Sequence, residues 1–185
     1  MFLNKGLYLL PDKMCEGTLQ RDMVKQVLPN ARSADSGSYS QGAGSDLSFG
    51  CHVSTTNHSW LSGKARVQPA SPKEWLEYYR NPGDQNRIVR VSVGKIEALT
   101  QIDSSGDTAS VYMPCTPPSV PEYNASESYA VVGEAWIKGP ARVKGVPLGQ
   151  TLTDFAYQLT QHAYKLAECK GARDFPEELP RYAAP

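Results

Sequence analysis

Leu47–Gln68 reads LSFGCHVSTTNHSWLSGKARVQ, and its period decides the fold class. Leu47, Phe49, Cys51 and Val53 point one way, and Ser48, His52 and Ser54 the other. Leu61, Gly63, Ala65 and Val67 then alternate with Ser62, Lys64, Arg66 and Gln68. Successive side chains of a strand point to opposite faces, so a period of two marks a pair of half-buried strands. Thr55-Thr56-Asn57-His58-Ser59 between them supplies a hairpin connection.

The same period recurs downstream. Val89, Val91 and Val93 alternate with Arg90 and Ser92 over Ile88–Val93. Lys95–Ile102 fits a strand or a helix, and Asp103–Asp107 is a turn. Thr108–Met113 is a strand that ends at Pro114-Cys115, and Thr116–Ser128 is a Pro-rich loop. Tyr129–Lys138 is a further strand, with Arg142–Val146 as a hairpin partner across Gly139-Pro140. Hairpin connections favour an antiparallel sheet, here of about five to seven strands.

Helical signals flank these strands. Leu19, Met23 and Val27 recur at helical spacing after a candidate N-cap, Thr18, and before Pro29. Ser71-Pro72-Lys73-Glu74 combines a capping serine, a proline at the first helical position and the glutamate of a capping box. Trp75, Leu76 and Tyr79 form the apolar face of that helix, and Asn81-Pro82-Gly83 ends it. The longest signal runs from Leu148 through Leu152, Phe155, Ala156, Leu159 and Ala163 to Leu166 and Ala167, with Gly171 as a stop. The class is therefore α+β: an antiparallel sheet covered by helices, including a long C-terminal one. Residues 1–14 read as a lead-in, 15–171 as a single domain and 172–185 as a Pro-containing tail; Asn30–Ser45 reads as a Ser- and Gly-rich loop.

A chain of 185 residues with 40% hydrophobic and 21% charged residues can build one core. Its formal net charge is zero, so it has no overall field to draw nucleic acid or an anionic membrane, and no nucleic-acid partner is expected. Four cysteines (Cys15, Cys51, Cys115 and Cys169) are far apart in sequence, and none forms a CxxC pair. An even number of widely spaced cysteines suits an oxidising compartment better than a zinc site. Three pairings are open. Cys15–Cys51 with Cys115–Cys169 is favoured, because each bridge would tie a terminal helix to the sheet and contribute about 3–4 kcal/mol. No stretch is long enough to span a membrane. Met1–Leu10 also lacks the pattern of an export signal, so a signal or anchor is expected outside this sequence, and membrane contact only through it.

The motifs Met14-Cys15-Glu16-Gly17-Thr18-Leu19, Phe49-Gly50-Cys51-His52-Val53 and Ser110-Val-Tyr-Met-Pro-Cys115 have a familiar look. So do the Val-Ser-Val-Gly strand end at 91–94 and the stretches Asp154–Leu159, His162–Cys169 and Phe175–Tyr182. In these the chain resembles extracytoplasmic domains of unknown function in actinobacterial lipoproteins and membrane-anchored proteins. These domains are themselves loosely similar to PsbP-like α/β/α binding and assembly modules. The resemblance spans most of residues 7–182. It implies export and anchoring in the cell envelope, secreted or at the outer face of the cytoplasmic membrane, and brings no catalytic residues. It also makes the sequons Asn57-His58-Ser59 and Asn124-Ala125-Ser126 coincidental.

Catalytic signatures are sparse. There is no GxSxG elbow, P-loop or GxGxxG. Of three histidines, His162 sits at the edge of the long helix's apolar stripe, and His52 and His58 flank the hairpin beside Cys51 without a metal-ligand spacing. Glu177-Glu178 and Asp103/Asp107 fall in the tail and a loop, where solvation accounts for them. No metal or cofactor is expected. The better candidate is a surface: Lys64, Arg66 and Arg90 point outward, as do Tyr112 and Trp136, and aromatic residues beside cations are typical of binding surfaces. The expected function is a non-catalytic binding or assembly module of the envelope, its partner a protein or another envelope component. An envelope hydrolase using His162, and an inhibitor or immunity protein against a secreted toxin, are the alternatives.

Overall fold

The computed structural model describes residues 5–80, 87–102, 107–118, 120, 128–171 and 174–183. Two short strands, β1 (Lys13–Met14) and β2 (Leu19–Gln20), pair with each other and lead into helix α1 (Arg21–Val27). Next come β3 (Ala34–Gln41), β4 (Ser48–Thr55), β5 (Trp60–Pro69) and helix α2 (Pro72–Tyr79). They are followed by β6 (Arg87–Val93), β7 (Ile96–Ile102), β8 (Thr108–Pro114), β9 (Tyr129–Lys138) and helix α3 (Val146–Leu166). Strands β3 to β9 form one antiparallel sheet in the order β3-β4-β5-β9-β8-β7-β6. It consists of two meanders, β3-β4-β5 and β6-β7-β8-β9, joined where β5 pairs with β9 from Trp60↔Lys138 to Pro69↔Tyr129.

The alternation read from the sequence sets the two faces. Phe49, Val53, Leu61, Ala65, Val111, Val131 and Ala135 are buried beneath α3, whose Leu152, Phe155, Ala156, Leu159 and Ala163 are fully covered. Small residues let the helix come close: a Cβ on Gly63 would lie 2.4 Å from Leu159 Cδ1, and one on Gly133 2.7 Å from the Ala156 carbonyl oxygen. The opposite face is covered only in part. The capping box of α2 is present on both sides, with Ser71 accepting from the Glu74 N–H and Glu74 accepting from the Ser71 N–H. Trp75 and Tyr79 pack on Leu99, Tyr112, Ala130 and Val132 of β7, β8 and β9. The helices are thus divided between the faces and do not all cover one.

Both expected bridges are present: Cys15–Cys51, with Cα atoms 5.7 Å apart, and Cys115–Cys169, with Cα atoms 5.1 Å apart. Two disulfides fit an oxidising environment. No described helix is long and apolar enough to cross a membrane.

Several local expectations need correction. Asn30–Ser45 contains a strand, β3, paired along its whole length with β4. Helix α1 starts at Arg21, and Thr18 does not cap it; the Thr18 hydroxyl donates to the Cys15 carbonyl of the preceding tight turn. Lys95–Ile102 resolves as strand β7. Arg142–Val146 is not a strand, because the Arg142 N–H and guanidinium bond to the Val27 and Lys25 carbonyls at the end of α1. Leu7 and Leu10 of the lead-in enter the core. Residues 174–183 lie along the outer side of α3: Tyr157 donates to the Pro176 carbonyl at 2.7 Å, Tyr182 meets the Thr153 hydroxyl at 2.8 Å, and Arg181 forks onto Asp154. This segment covers Thr153 and Tyr157 on the side of α3 turned away from the sheet. Asn81–Gly83, Asp103, Asn124 and most of the Pro-rich loop lie outside the described residues.

Candidate binding face

Helix α2 covers the β7-β8 end of its face with Ala130 and Val132 of β9, while among the described residues outward positions on β3, β4, much of β5 and the Trp136 end of β9 stay open. Three large aromatic side chains stand there: Tyr39 is 46% exposed, Trp60 48% and Trp136 37%. They surround a cleft of about 390 Å³, whose remaining polar lining is His52, Ser54, Ser62 and Lys64; the strand backbone at Cys51, Val53 and Gly63 forms its floor. Register explains the convergence. His52, Ser62 and Trp136 are directly opposite one another on β4, β5 and β9, and Ser54 is opposite Trp60. Tyr39 on β3 and Trp136 on β9 are three strand spacings apart, so the walls stand on the order of 14 Å apart.

Two glycines seat the rings on the β3 side. Tyr39 of β3 leans over Gly50 of β4, its register partner, where an added Cβ would lie 2.2 Å from Tyr39 Cε1. His52 of β4 leans over Gly37 of β3, its own partner, where an added Cβ would lie 2.7 Å from His52 Cε1. Each strand thus supplies a ring and the vacancy that receives the other's ring. Two side chains are laid down on the sheet in fixed positions.

The electrostatics are one-sided. Among the described residues the lining holds one formal cation, Lys64, and no carboxylate. Glu134 is opposite Lys64 on β9, but its carboxylate accepts from the Tyr79 hydroxyl, and no ion pair engages Lys64 among the described residues. Burial beneath α2, then the Glu134 charge, hold the Tyr79 phenol far above its ordinary range. At the rim, the Lys138 ammonium stands 5.4 Å from the centre of the Trp60 ring.

The surface expected from the sequence is therefore divided. Lys64 and Trp136 line the cleft. Arg66 lies on the neighbouring hollow at the edge of α2, of about 310 Å³, with Glu74, Tyr78 and Glu134. Arg90 is on the far edge strand, bonded to Glu97 at 3.0 Å. Tyr112 is not a surface residue: it is 1% exposed, covered by Trp75, and donates to the Ala70 carbonyl at 2.9 Å. Burial, with Glu97 and Glu74 adding to it, pushes its phenol up to about 12. Tyr39 and Trp60 were not anticipated. Trp60 shares the outward parity of Lys64 and Arg66, so period two already placed it.

The other candidates take structural positions. His162 Nε2 is 2.7 Å from Glu16 Oε2, and its ring meets Phe49 edge-on, which fastens the Cys15–Gly17 turn to α3 on the side of the sheet away from the cleft. Cys51 is cross-linked, and His58 occupies the β4–β5 turn with a positive φ of 62°. Asn57 is held in the same turn, its amide donating to the Asn30 carbonyl. Among the described residues no group of three or more His, Cys, Asp or Glu could hold a metal ion.

By fold and site this is a disulfide-stapled α+β domain with a seven-stranded antiparallel sheet and an aromatic cleft on the sheet's open half. No protein-family model, curated protein or solved structure matches the chain.

Proposed function

We propose that this chain is a non-catalytic binding module that works outside the cytoplasm, in the cell envelope, and that its ligand is an envelope component docked in the aromatic cleft. The observation that carries the reading is the convergence of Tyr39, Trp60 and Trp136 around one cation on the half of the sheet that α2 leaves open. Aromatic anchors at the centre of a concave site are where binding energy concentrates. The two disulfides support the compartment, since such bridges persist where thiols are not kept reduced.

The three tryptophans provide a built-in assay. Trp60 and Trp136 border the cleft, while Trp75 is buried under α2 with its indole N–H donating to Ser110 at 2.9 Å. In ¹⁵N-tryptophan-labelled protein, a soluble envelope extract from the source cells should shift the Trp60 and Trp136 indole resonances and leave Trp75 in place. Indole signals that all stay fixed, or that move together, would refute the reading.

A further inference from the structure

Resting on that reading, we infer that the cleft recognises an acidic saccharide: a short stretch of glycan that carries a carboxylate or a phosphate. Three features of the lining select this class. The aromatic rings are roughly half wetted in the free protein and offer apolar faces without forming a closed apolar pocket. A pyranose ring has the matching character, with C–H groups on its faces and hydroxyls around its edge. Between the aromatic walls the lining side chains are polar: the Ser54 and Ser62 hydroxyls, the His52 ring and Lys64. An acyl chain or an apolar peptide side chain would strip water from those groups and return no hydrogen bonds, which is unfavourable. A ring of hydroxyls returns them.

Charge makes the third selection. Aromatic rings can also hold a quaternary ammonium by cation–π attraction. Here the described lining has a cation and no carboxylate, and a second cation, Lys138, already stands over Trp60. A cationic ligand would meet repulsion, while an anionic group opposite Lys64 would gain a partner that no described residue supplies. The cleft volume of about 390 Å³ falls in the range of small-molecule sites and suits a few sugar units. The reciprocal seats of Tyr39 on Gly50 and His52 on Gly37 hold two of the contacting rings in place before binding, which lowers the cost of ordering them.

The test uses the glycan fraction of a source-cell envelope extract, followed through the Trp60 and Trp136 indole signals. The shift should survive protease digestion of the extract and disappear after periodate cleavage of its sugars. Carboxyl reduction, or dephosphorylation with hydrofluoric acid, should weaken binding to the wild-type protein about tenfold or more and show which acid is present; Lys64→Met should be indifferent to the effective treatment. Trp136→Ala and Gly50→Ala should each weaken binding about tenfold or more, the second by unseating Tyr39 without removing any contacting group. Unchanged melting of these variants and retention of binding by Trp136→Tyr separate recognition from folding. A shift that survives periodate but not protease overturns the saccharide inference and leaves the binding module standing. Loss of affinity after neither acid treatment overturns the anionic part. Silence with every fraction overturns both readings.

Discussion

Replacing Gly133 by alanine tests how the sheet and α3 are held together. Gly133 lies on β9 where α3 crosses, and an added Cβ would sit 2.0 Å from Thr160 Oγ1, 2.7 Å from the Ala156 carbonyl oxygen and 3.3 Å from Thr160 Cβ. Thr160 cannot rotate away freely, because its hydroxyl donates to that same Ala156 carbonyl at 2.7 Å. The carbonyl belongs to the helix backbone, so the helix itself must retreat. A gap of about 0.5–1 Å forfeits a quarter to a half of each dispersion contact it opens. Leu152, Phe155, Leu159 and Ala163, all at 0% exposure, are the residues that would lose them. Overpacking of this kind costs about 1–3 kcal/mol, while an unstrained glycine-to-alanine change returns about 0.4–1 kcal/mol by restricting the unfolded chain. The expected balance, at the centre of those ranges, is a loss of about 1.3 kcal/mol, which for a domain of this size lowers Tm by about 3–5 °C.

The assay is thermal unfolding followed by circular dichroism, with urea titration as a second measure. Thr160→Ala in the Gly133→Ala background removes the nearest clash but not the one with the Ala156 carbonyl, so it should recover only part of the loss. Gly50→Ala is the internal control: the neighbour there is the half-exposed Tyr39 ring, which can swing outward, and stability should change little. If Gly133→Ala melts at or above the wild-type temperature, α3 does not approach the sheet as closely as described, and the packing argument fails.

Other consequences can be measured separately. Converting Cys115 and Cys169 to alanine releases a cross-link spanning 54 residues and should cost about 4 kcal/mol, or about 10 °C in Tm; an unchanged melting curve would deny the bridge its role. The native state holds the Tyr112 phenol neutral with its pKa at about 12, against about 10 in the unfolded chain. Its contribution of about 2–3 kcal/mol is therefore complete below pH 10 and lost as pH rises from 10 to 12. Between those values Tyr112→Phe should lose stability less steeply than wild type, and equal slopes would contradict the burial argument. Ser71→Ala removes one side of the capping box and should lower stability by about 1 kcal/mol, read as a lower urea midpoint at unchanged m.

The sequence carried the α3-covered face of the sheet and much less of the other one. Period two located β4, β5, β6, β8 and β9 because one side of each meets a continuous apolar layer. Strand β3 was invisible: ADSGSYSQ has neither alternation nor β-branched residues, and it is a strand because β4 presents an unpaired backbone edge along its whole length. Tyr112 was misplaced for a related reason. Parity shows that it faces away from Val111 and Met113, but parity does not show whether a helix waits on that side, and α2 does. Of the cleft, Lys64 and Trp136 were legible by parity. Tyr39 depended on the unseen strand. The seats at Gly37 and Gly50 exist only across a strand pair and leave no local signal.

Topology gives the cleft its place. The chain leaves β5 at Pro69, near the middle of the sheet, and must begin β6 at Arg87 on the far edge. The described part of that crossover lays α2 on β7, β8 and β9, over the side away from α3. Strands β3 and β4 lie on the other side of the departure point, away from this described part of the crossover. Part of the uncovered half has the surface that exposure favours, with Ser54, Ser62 and Lys64 pointing outward. Tyr39, Trp60 and Trp136 are the exceptions. Half wetted as they are, they recover only part of the stabilisation that full burial of an aromatic ring brings, and together they present an apolar patch to solvent. Core packing therefore explains little of their placement. The ligand proposed above would cover those three rings and meet Lys64, completing a burial that the fold leaves partial.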